Sequence, residues 1–495
     1  MIRQSATCIL LIAAVSGQSP SFAAAPTPLS EIVVTASLRP TAAKNLPASV
    51  SVIAGDDVEN GAVQHLEELL PQVPSLSWAG ASSRPRYFQL RGIGELEQYQ
   101  GAPNPSIGFL IDEIDFSGIG MIASLFDVEQ VEVLRGPQGT RYGANALGGL
   151  IKVKTRDPSA TRDVQAEAGV GEDGMWMAGI AAGGAMPAGD GIDAAWRAVL
   201  HRAVSDGFRH NAYLGRDDTN GRDELNARLK FRLGAEKIWR ADLNLMYADF
   251  DNGYDAFAID NSFTTLSDRP GRDSQKSRGA SLDASYMAWD GLVLRSITAW
   301  ADSDIEASFD ADWGDEPGWG AAGPYDFFSQ TLRRRRTLSQ DLRLISGGGG
   351  DWSWIAGAWV SRLEETNHIA DDGLYLQDAF VRSLDSRYRA TSTAVYGEGD
   401  WSWTPTTTIS AGLRLEQRDA RYGDSDGSLF DPRDRMWGGE LSLTHRIRAT
   451  QSLWASLSRG FRAGGFNIGT SVPADRQSFD SEYLWNLELG LKGND

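Results

Sequence analysis

From Pro158 onward the chain keeps a two-residue beat. In Trp239 to Tyr247 the odd positions carry Trp, Ala, Leu, Leu and Tyr, with Arg240, Asp242 and Asn244 between them. Ile409, Ala411, Leu413 and Leu415 alternate with Ser410, Arg414 and Glu416, and Leu441, Leu443 and Ile447 with Glu440, Ser442, Thr444 and Arg446. Leu487, Leu489 and Leu491 stand opposite Asn486, Glu488 and Lys492. Successive side chains of a strand point to opposite faces, so each segment has one apolar and one polar face. A soluble two-layer sandwich alternates in the same way. The aromatics near strand ends (Trp239 with Tyr247, Trp401 with Trp403, and Trp485) fit the interfacial girdles of a membrane barrel instead. The beat predicts about 14 strands at roughly 25-residue spacing, each able to supply the ~9–11 residues of a tilted membrane-spanning strand. Short turns such as Gly347 to Gly350 alternate with polar stretches near Asn211 to Arg222, Asp251 to Gln275 and Asp302 to Asp326, read as long loops on one side. The expected fold is a transmembrane antiparallel β-barrel.

The texture before Pro158 is different. Ser49 to Ile53 reads as a strand, Asp56 and Asp57 as caps of a helix, and Val63, Leu66, Leu69 and Leu70 as its apolar stripe, ended by Pro71. Further strands are expected at Tyr87 to Arg91, Ile107 to Ile111, Val131 to Arg135 and Leu150 to Thr155. Residues 49–158 thus predict a small α/β domain, and residues 159–495 the barrel. At the start, Arg3, the apolar run Cys8 to Val15 and the small residues around Ala23 predict a cleaved signal over residues 1–23. Residues 24–48 follow as a Pro- and Ala-rich leader, expected to be mobile.

Composition sharpens this picture. The 54 Gly, 16 Trp and 13 Tyr beside 23% charged residues suit strands with one lipid face and one wet face. The only cysteine, Cys8, leaves with the signal, so no disulfide is expected. A formal charge of −19 argues against nucleic acid and against bulk binding to anionic lipid, although a local field can oppose the net charge. His65, His201, His210, His368 and His445 show no metal-ligand spacing, and no metal is expected. Without a nucleophile elbow the chain is not read as an enzyme.

Two segments carry candidate chemistry. Glu31-Ile32-Val33-Val34-Thr35-Ala36 favours extended backbone and can add itself to the sheet edge of a partner, or serve as the first strand of the α/β domain. Asp127 to Thr155 runs from a strand through a loop with glycines at 136, 139, 143, 148 and 149 into a second strand. A phosphate-cradling loop is the rival reading there, but this block has no Gly-Lys-Ser/Thr.

The chain resembles the TonB-dependent outer-membrane receptors over essentially its whole mature length. Glu31, Ile32, Val33, Val34, Thr35 and Ala36 match the family's TonB box. Arg91 and Gly92, Gly108 to Asp112, and Arg135, Gly136, Pro137, Gln138 and Gly139 with Tyr142, Gly143, Asn145, Gly148 and Gly149 match its plug motifs. Arg459 to Asn467 and Trp485 to Lys492 fit its barrel. The resemblance implies that the α/β domain is a plug enclosed by a 22-stranded barrel. It also implies TonB with its inner-membrane energising complex as partner, outer-membrane lipid around the barrel, and no cofactor. About 14 strands and no terminal aromatic depart from the family pattern, and the expectation is a barrel truncated before its end.

The implied function is energised, high-affinity uptake of a scarce ligand, first a ferric siderophore; a carbohydrate receptor or a non-functional receptor remnant are the alternatives. A passive porin is disfavoured by the N-terminal domain, and haem by Gly464 after Phe461-Arg462-Ala463, where haem-type relatives carry Pro. Outward ligand contacts are expected from Arg84, Arg86, Glu95, Glu97, Gln98 and Tyr99 in the plug and from Trp313 and Trp319 in the acidic stretch Asp302 to Asp326. Asp310, Asp312, Asp315 and Glu316 read as a solvated acidic loop, and Arg333 to Arg336 as a charge ladder on a strand.

Overall fold

The computed structural model describes residues 32–79, 82–96, 101–235, 237–314, 323–347, 350–376, 378–468, 473 and 476–493. The expected signal, the start of the leader and Glu31 lie outside these residues, as do Glu97, Gln98, Tyr99, Asp315, Glu316 and Trp319.

A short hairpin, β1 (Val33–Val34) with β2 (Thr41–Ala42), precedes β3 (Val50–Ala54). The expected single helix is two short ones, α1 (Gly55–Asn60) and α2 (Leu66–Leu69). Asp56 and Asp57 sit in the first turn of α1 and cap nothing; the capping position is Ala54. The break is physical: Gly61 ends α1, Ala62 adopts positive φ, and His65 restarts the chain by accepting from the Glu67 N–H. Pro71 lies within a 3₁₀ turn, Leu70–Gln72, that extends α2. Then come β4 (Leu76–Trp78), β5 (Phe88–Leu90) and β6 (Ile93–Gly94). Arg91 and Gly92, both at positive φ, make the two-residue turn from β5 to β6. β7 (Ile107–Ile111), β8 (Ile114–Asp115), β9 (Val128–Arg135), α3 (Gly139–Tyr142) and β10 (Gly149–Thr155) complete the domain.

Its central sheet runs β3-β9-β10-β7-β8. Alternation sorts the side chains of this sheet into two separate cores. Ile107, Phe109, Ile111, Val131, Val133, Ile151 and Val153 join Val58, Leu66 and Leu69 of the helices in the larger one. Leu110, Leu134 and Leu150 on the other face pack with Val34, Ala36 and Leu46 of the N-terminal segment.

The wall opens with β11 (Asp163–Val170), β12 (Trp176–Ala185) and β13 (Asp193–Ser205). After β14 (His210–Asn211) come β15 (Arg222–Ala235) and β16 (Trp239–Tyr254). β17 (Thr264–Thr265) pairs with β14 across two loops. β18 (Gly271–Trp289), β19 (Leu292–Asp310), β20 (Tyr325–Ser346), β21 (Trp352–Tyr375) and β22 (Asp378–Thr404) are long hairpin-connected strands. β23 (Thr407–Asp424), β24 (Leu429–Phe430), β25 (Arg433–Arg448) and β26 (Gln451–Arg462) follow. A loop hairpin of β27 (Gly465–Phe466) and β28 (Ser478–Phe479) leads to β29 (Glu482–Gly493). Fourteen of these strands pair antiparallel with their chain neighbours in one sheet, and β24 adds a short ribbon on β23.

The strands reach further than the sequence suggests. Asp251 to Tyr254, Gly271 to Gln275 and Asp302 to Asp310, expected in loops, are the outer ends of β16, β18 and β19. Their charges have partners on adjacent strands, such as Arg272 with Asp251 and Arg334 with Asp302 (2.7 and 2.8 Å), so pairing persists where the side chains are wet. The outward face is apolar, with Leu487, Leu489 and Leu491 at 72, 79 and 64% exposure. Their neighbours turn inward; the Lys492 ammonium donates to the Ala43 and Leu46 carbonyls of the plug. Among the described residues no helix is long and apolar enough to cross a membrane. The wall wraps the plug from Arg197 on one flank to Lys492 on the other, and Met246, Phe250, Ala299 and Ile305 of β16 and β19 enter the plug's larger core.

Candidate functional site

The segment expected to be a partner-binding strand is docked, and alternation explains how. Val131 and Val133 of β9 point into the larger core, so Glu132 between them points the other way, at the N-terminal segment. Its carboxylate accepts from the Thr35 N–H (2.8 Å), the Thr35 hydroxyl (2.6 Å) and the Ala36 N–H (2.8 Å). The Gln130 amide donates to the Val33 carbonyl (2.8 Å), and the Tyr142 hydroxyl to the Ala36 carbonyl (2.8 Å). Burial raises the Tyr142 phenol above its usual value, which keeps it a donor. Val34 and Ala36 are fully buried, while Ile32 and Val33 stay accessible. Residues 32–48 of the leader pair, hydrogen-bond and pack against the plug. Of the latch residues, Tyr142 belonged to a motif; Glu132 and Gln130 carried only the signal of polar positions inside an apolar strand.

The other motif residues shape the seam between plug and wall. Gly136, at positive φ, comes so close to β29 that a Cβ there would stand 2.9 Å from the Asn486 amide. Pro137 meets Gly460, and Gly139 lies against Gly460 and Phe461. Gly143, also at positive φ, faces Glu416 and Arg414 of β23. The Gln138 amide and Arg135 guanidinium bond within the plug, Arg135 to the Pro74 carbonyl and the Ser51 hydroxyl. Asn145 lies in a 3₁₀ turn after α3. Gly148 and Gly149 bring the chain against Ile93 and Leu90. Asp112 accepts from the Thr155 N–H and hydroxyl, from Asn244 and from Lys230 (3.1 Å). Arg91 pairs with Glu488, and Arg141 spans Glu398 and Glu440 at 3.4 and 3.8 Å.

The candidate ligand contacts divide. Arg84 and Arg86, expected on an outward surface, are buried in the seam. Arg84 makes a bidentate pair with Glu224 (2.8 and 2.9 Å) and reaches Glu67 (3.0 Å), and Arg86 pairs with Asp273. Beside Arg84, His65 is fully enclosed, and burial, with the nearby Arg84 charge, pushes its imidazole down to about 3. The neutral ring donates from Nε2 to the Met121 carbonyl (2.9 Å) and accepts at Nδ1. Glu95 accepts from the Ser106 N–H and hydroxyl and lies 3.5 Å from Arg462. Trp313 remains half exposed, stacked on Phe257 with ring centres 5.1 Å apart. Asp310 and Asp312, read as solvated, are buried; both accept backbone N–H groups in their own turn. The ladder of arginines alternates, Arg333 and Arg335 inward on Glu365 and Arg334 and Arg336 outward on Asp302. An aromatic cluster that the sequence did not single out, Tyr388, Tyr422, Phe430 and Phe466, surrounds Ala102 at the plug apex.

Gly423-Asp424-Ser425-Asp426-Gly427 spells a Gly-x-Ser-x-Gly string. It forms the turn from β23 to β24, and strand rather than helix follows, so it builds no nucleophile elbow.

Comparison with known proteins fits this architecture. The family profile "TonB-dependent Receptor Plug Domain" matches residues 42–150, and "TonB dependent receptor-like, beta-barrel" matches residues 182–495. A pesticin receptor of Yersinia pestis is 24% identical over 492 residues, covering 94% of this chain and 68% of that protein. An iron-regulated outer membrane virulence protein of Vibrio cholerae is 32% identical over 464 residues, covering 88% and 62%. The crystal structure of the ferric yersiniabactin uptake receptor FyuA from Yersinia pestis superposes with a TM-score of 0.78 at 22% identity, over 91% of this chain and 70% of that one. The chain thus spans about two thirds of the length of these relatives. With the barrel profile alone covering more than half of the sequence, the chain belongs to the TonB-dependent receptors of the outer membrane.

Proposed function

We propose that this chain serves energised uptake of a ferric siderophore, with TonB as the partner that supplies the force. The reading is of a transporter rather than an enzyme. The observation that carries it is the latch: an extended segment at the TonB-box position, held by Glu132, Gln130 and Tyr142 on a plug face that contributes nothing to the main core. A docked strand that a partner can recruit by strand addition needs three things: accessible leading residues, polar contacts replaceable by water, and an independent core beneath. Ile32 to Ala36 have all three. Ligand binding outside must favour the undocked state for occupancy to be signalled, which makes transport a population shift between the two. Among ligands, the ferric yersiniabactin and siderophore named for two of the similar structures favour a ferric siderophore over a carbohydrate. The contacts we assign to it are the accessible Trp313 and the plug apex near Glu95, not Arg84 and Arg86, whose charges are already neutralised.

The test is uptake of ⁵⁵Fe by iron-limited cells carrying the full chain, across a panel of phenolate, catecholate and hydroxamate siderophores. Saturable uptake of at least one that disappears in a TonB-deficient host is expected. Uptake that persists without TonB, or only with a non-iron ligand, would remove the proposal.

A further inference from the structure

The wall carries a charged concavity on its outward face. The plug's N-terminal segment touches Ser346, Asp400 and Lys492, which marks those strand ends as the periplasmic side. Moving the other way, the exposed apolar positions Val360 on β21, Val395 on β22 and Leu413 and Leu415 on β23 give way to Arg362, Arg389 and Arg421. On β25 the order is Leu441, Trp437, then Arg433. These four arginines line a concavity of about 550 Å³ with Thr391, Asp419 and Asp431. It sits just beyond the lipid-facing band on the extracellular side.

Strand register makes the charges meet. Arg389 is directly opposite Arg421, and Arg362-Thr391-Asp419-Arg433 form the neighbouring rung. Like charges directly opposite on a sheet face are destabilising. Of the carboxylates nearby, Asp419 and Glu364 are already engaged, and Asp431 is the one other carboxylate in the lining. Asp419 pairs with Arg433 and accepts from the Gln417 amide (2.9 Å); Glu364 pairs with Arg387 and stands 3.6 Å from Arg389. Arg362 and Arg421 have no ion pair among the described residues. A second outward concavity provides the contrast: Arg272, Lys276 and Arg334 there are matched by Asp251, Asp249 and Asp302. In a chain of net charge −19, only the first carries a positive surplus between these two, so overall charge did not create it.

We infer that the concavity formed by Arg362, Arg389, Arg421 and Arg433 binds the phosphorylated headgroup of an outer-leaflet glycolipid. Guanidinium forks donate to phosphate oxygens two at a time, and one phosphate between Arg389 and Arg421 turns repulsion into two charge-assisted contacts. The adjoining Thr391 and Asp431 can bond sugar hydroxyls. Acyl chains would then run down the exposed Val360, Val395 and Leu415, in continuity with the apolar band.

The test uses the purified full chain in detergent, with bisphosphorylated lipid A, chemically dephosphorylated lipid A and inorganic phosphate as probes, read by native mass spectrometry. Phosphorylated lipid A is expected to bind, with affinity reduced about 5-fold by Arg389→Gln or Arg421→Gln and about 25-fold by both. Arg202→Gln, an outward arginine already paired with Asp223, should change it little. The lipid-free unfolding temperature of the double variant should stay level or rise, because a repulsion is removed. Equal binding by the double variant overturns the inference, as does equal binding of the dephosphorylated lipid. Inorganic phosphate binding as tightly as the lipid would mean an anion site without a lipid. A lipid-free fall in unfolding temperature would mean a structural role for the arginines.

Discussion

Glu132→Gln is the most direct probe of the latch. The carboxylate accepts four hydrogen bonds, from the Thr35 N–H, the Thr35 hydroxyl, the Ala36 N–H and the Gln130 amide. A glutamine keeps one oxygen, which can hold Thr35, and replaces the other with an NH₂ group that faces the Ala36 N–H, donor against donor. One charge-assisted bond is lost and the rest lose their charge, a loss of about 3 kcal/mol in docking, or about 100-fold in the docked-to-undocked ratio. Val34, Ala36 and Leu46 still pack on Leu110, Leu134 and Leu150, so the segment loosens without the plug unfolding. Hydrogen–deuterium exchange of a peptide spanning residues 32–48 reads this directly, since amide exchange through local opening scales with the open population. The amides of Thr35 and Ala36 should exchange about 100-fold faster in the variant, while β9 and β10 keep their protection. Glu129→Gln, which removes only an exposed partner of Lys154, is the control. Unchanged exchange over residues 32–48 in Glu132→Gln would refute the latch, and with it the claim that this carboxylate sets the docking equilibrium.

Val34→Pro, which deletes an N–H needed for strand addition, should abolish TonB-dependent uptake by the full chain; unaltered energised uptake contradicts the partner reading. Arg84→Ala leaves Glu224 as an uncompensated buried charge and should destabilise the seated plug by about 3–5 kcal/mol in urea unfolding, whereas Arg84→Ala with Glu224→Ala should recover much of that loss. No recovery in the double variant would show that the pair does not act as a unit. Stability should also depend on pH through His65. Its folded value of about 3 is below the unfolded 6.5, so stability is fully present above pH 6.5 and is lost as pH falls toward 3. Between pH 7 and 5 this amounts to about 2 kcal/mol, and His65→Gln should flatten that part of the profile. Parallel profiles for parent and variant would exclude His65 as the source.

What could be read from the sequence was what repeats locally. Leu487, Leu489 and Leu491 against Asn486, Glu488 and Lys492 fixes a two-faced strand without any knowledge of its neighbours, and the wall is built of such segments. Charge density misled where the partner was far away. Arg84 and Arg86 look like solvated loop cations until Glu224 and Asp273, 140 and 187 residues downstream, are brought beside them. Asp302 to Asp310 looks like a loop for the same reason, because the arginines that keep it in a sheet lie on β20. Glu132 was visible as a polar residue in an apolar strand, but its role depends on a segment 97 residues upstream. Only tertiary pairing reveals which buried charges are taken and which remain available.

Splitting the plug's apolar residues between two faces of one sheet has a mechanical consequence. A pull applied at Ile32 loads the smaller cluster first, and that cluster shares no residue with the one tying the helices to β16 and β19. The N-terminal strap can therefore peel away as a separate unit, link by link, while the body stays seated. The early extension should be soft, with resistance rising sharply once residue 48 is passed and β3 itself comes under tension.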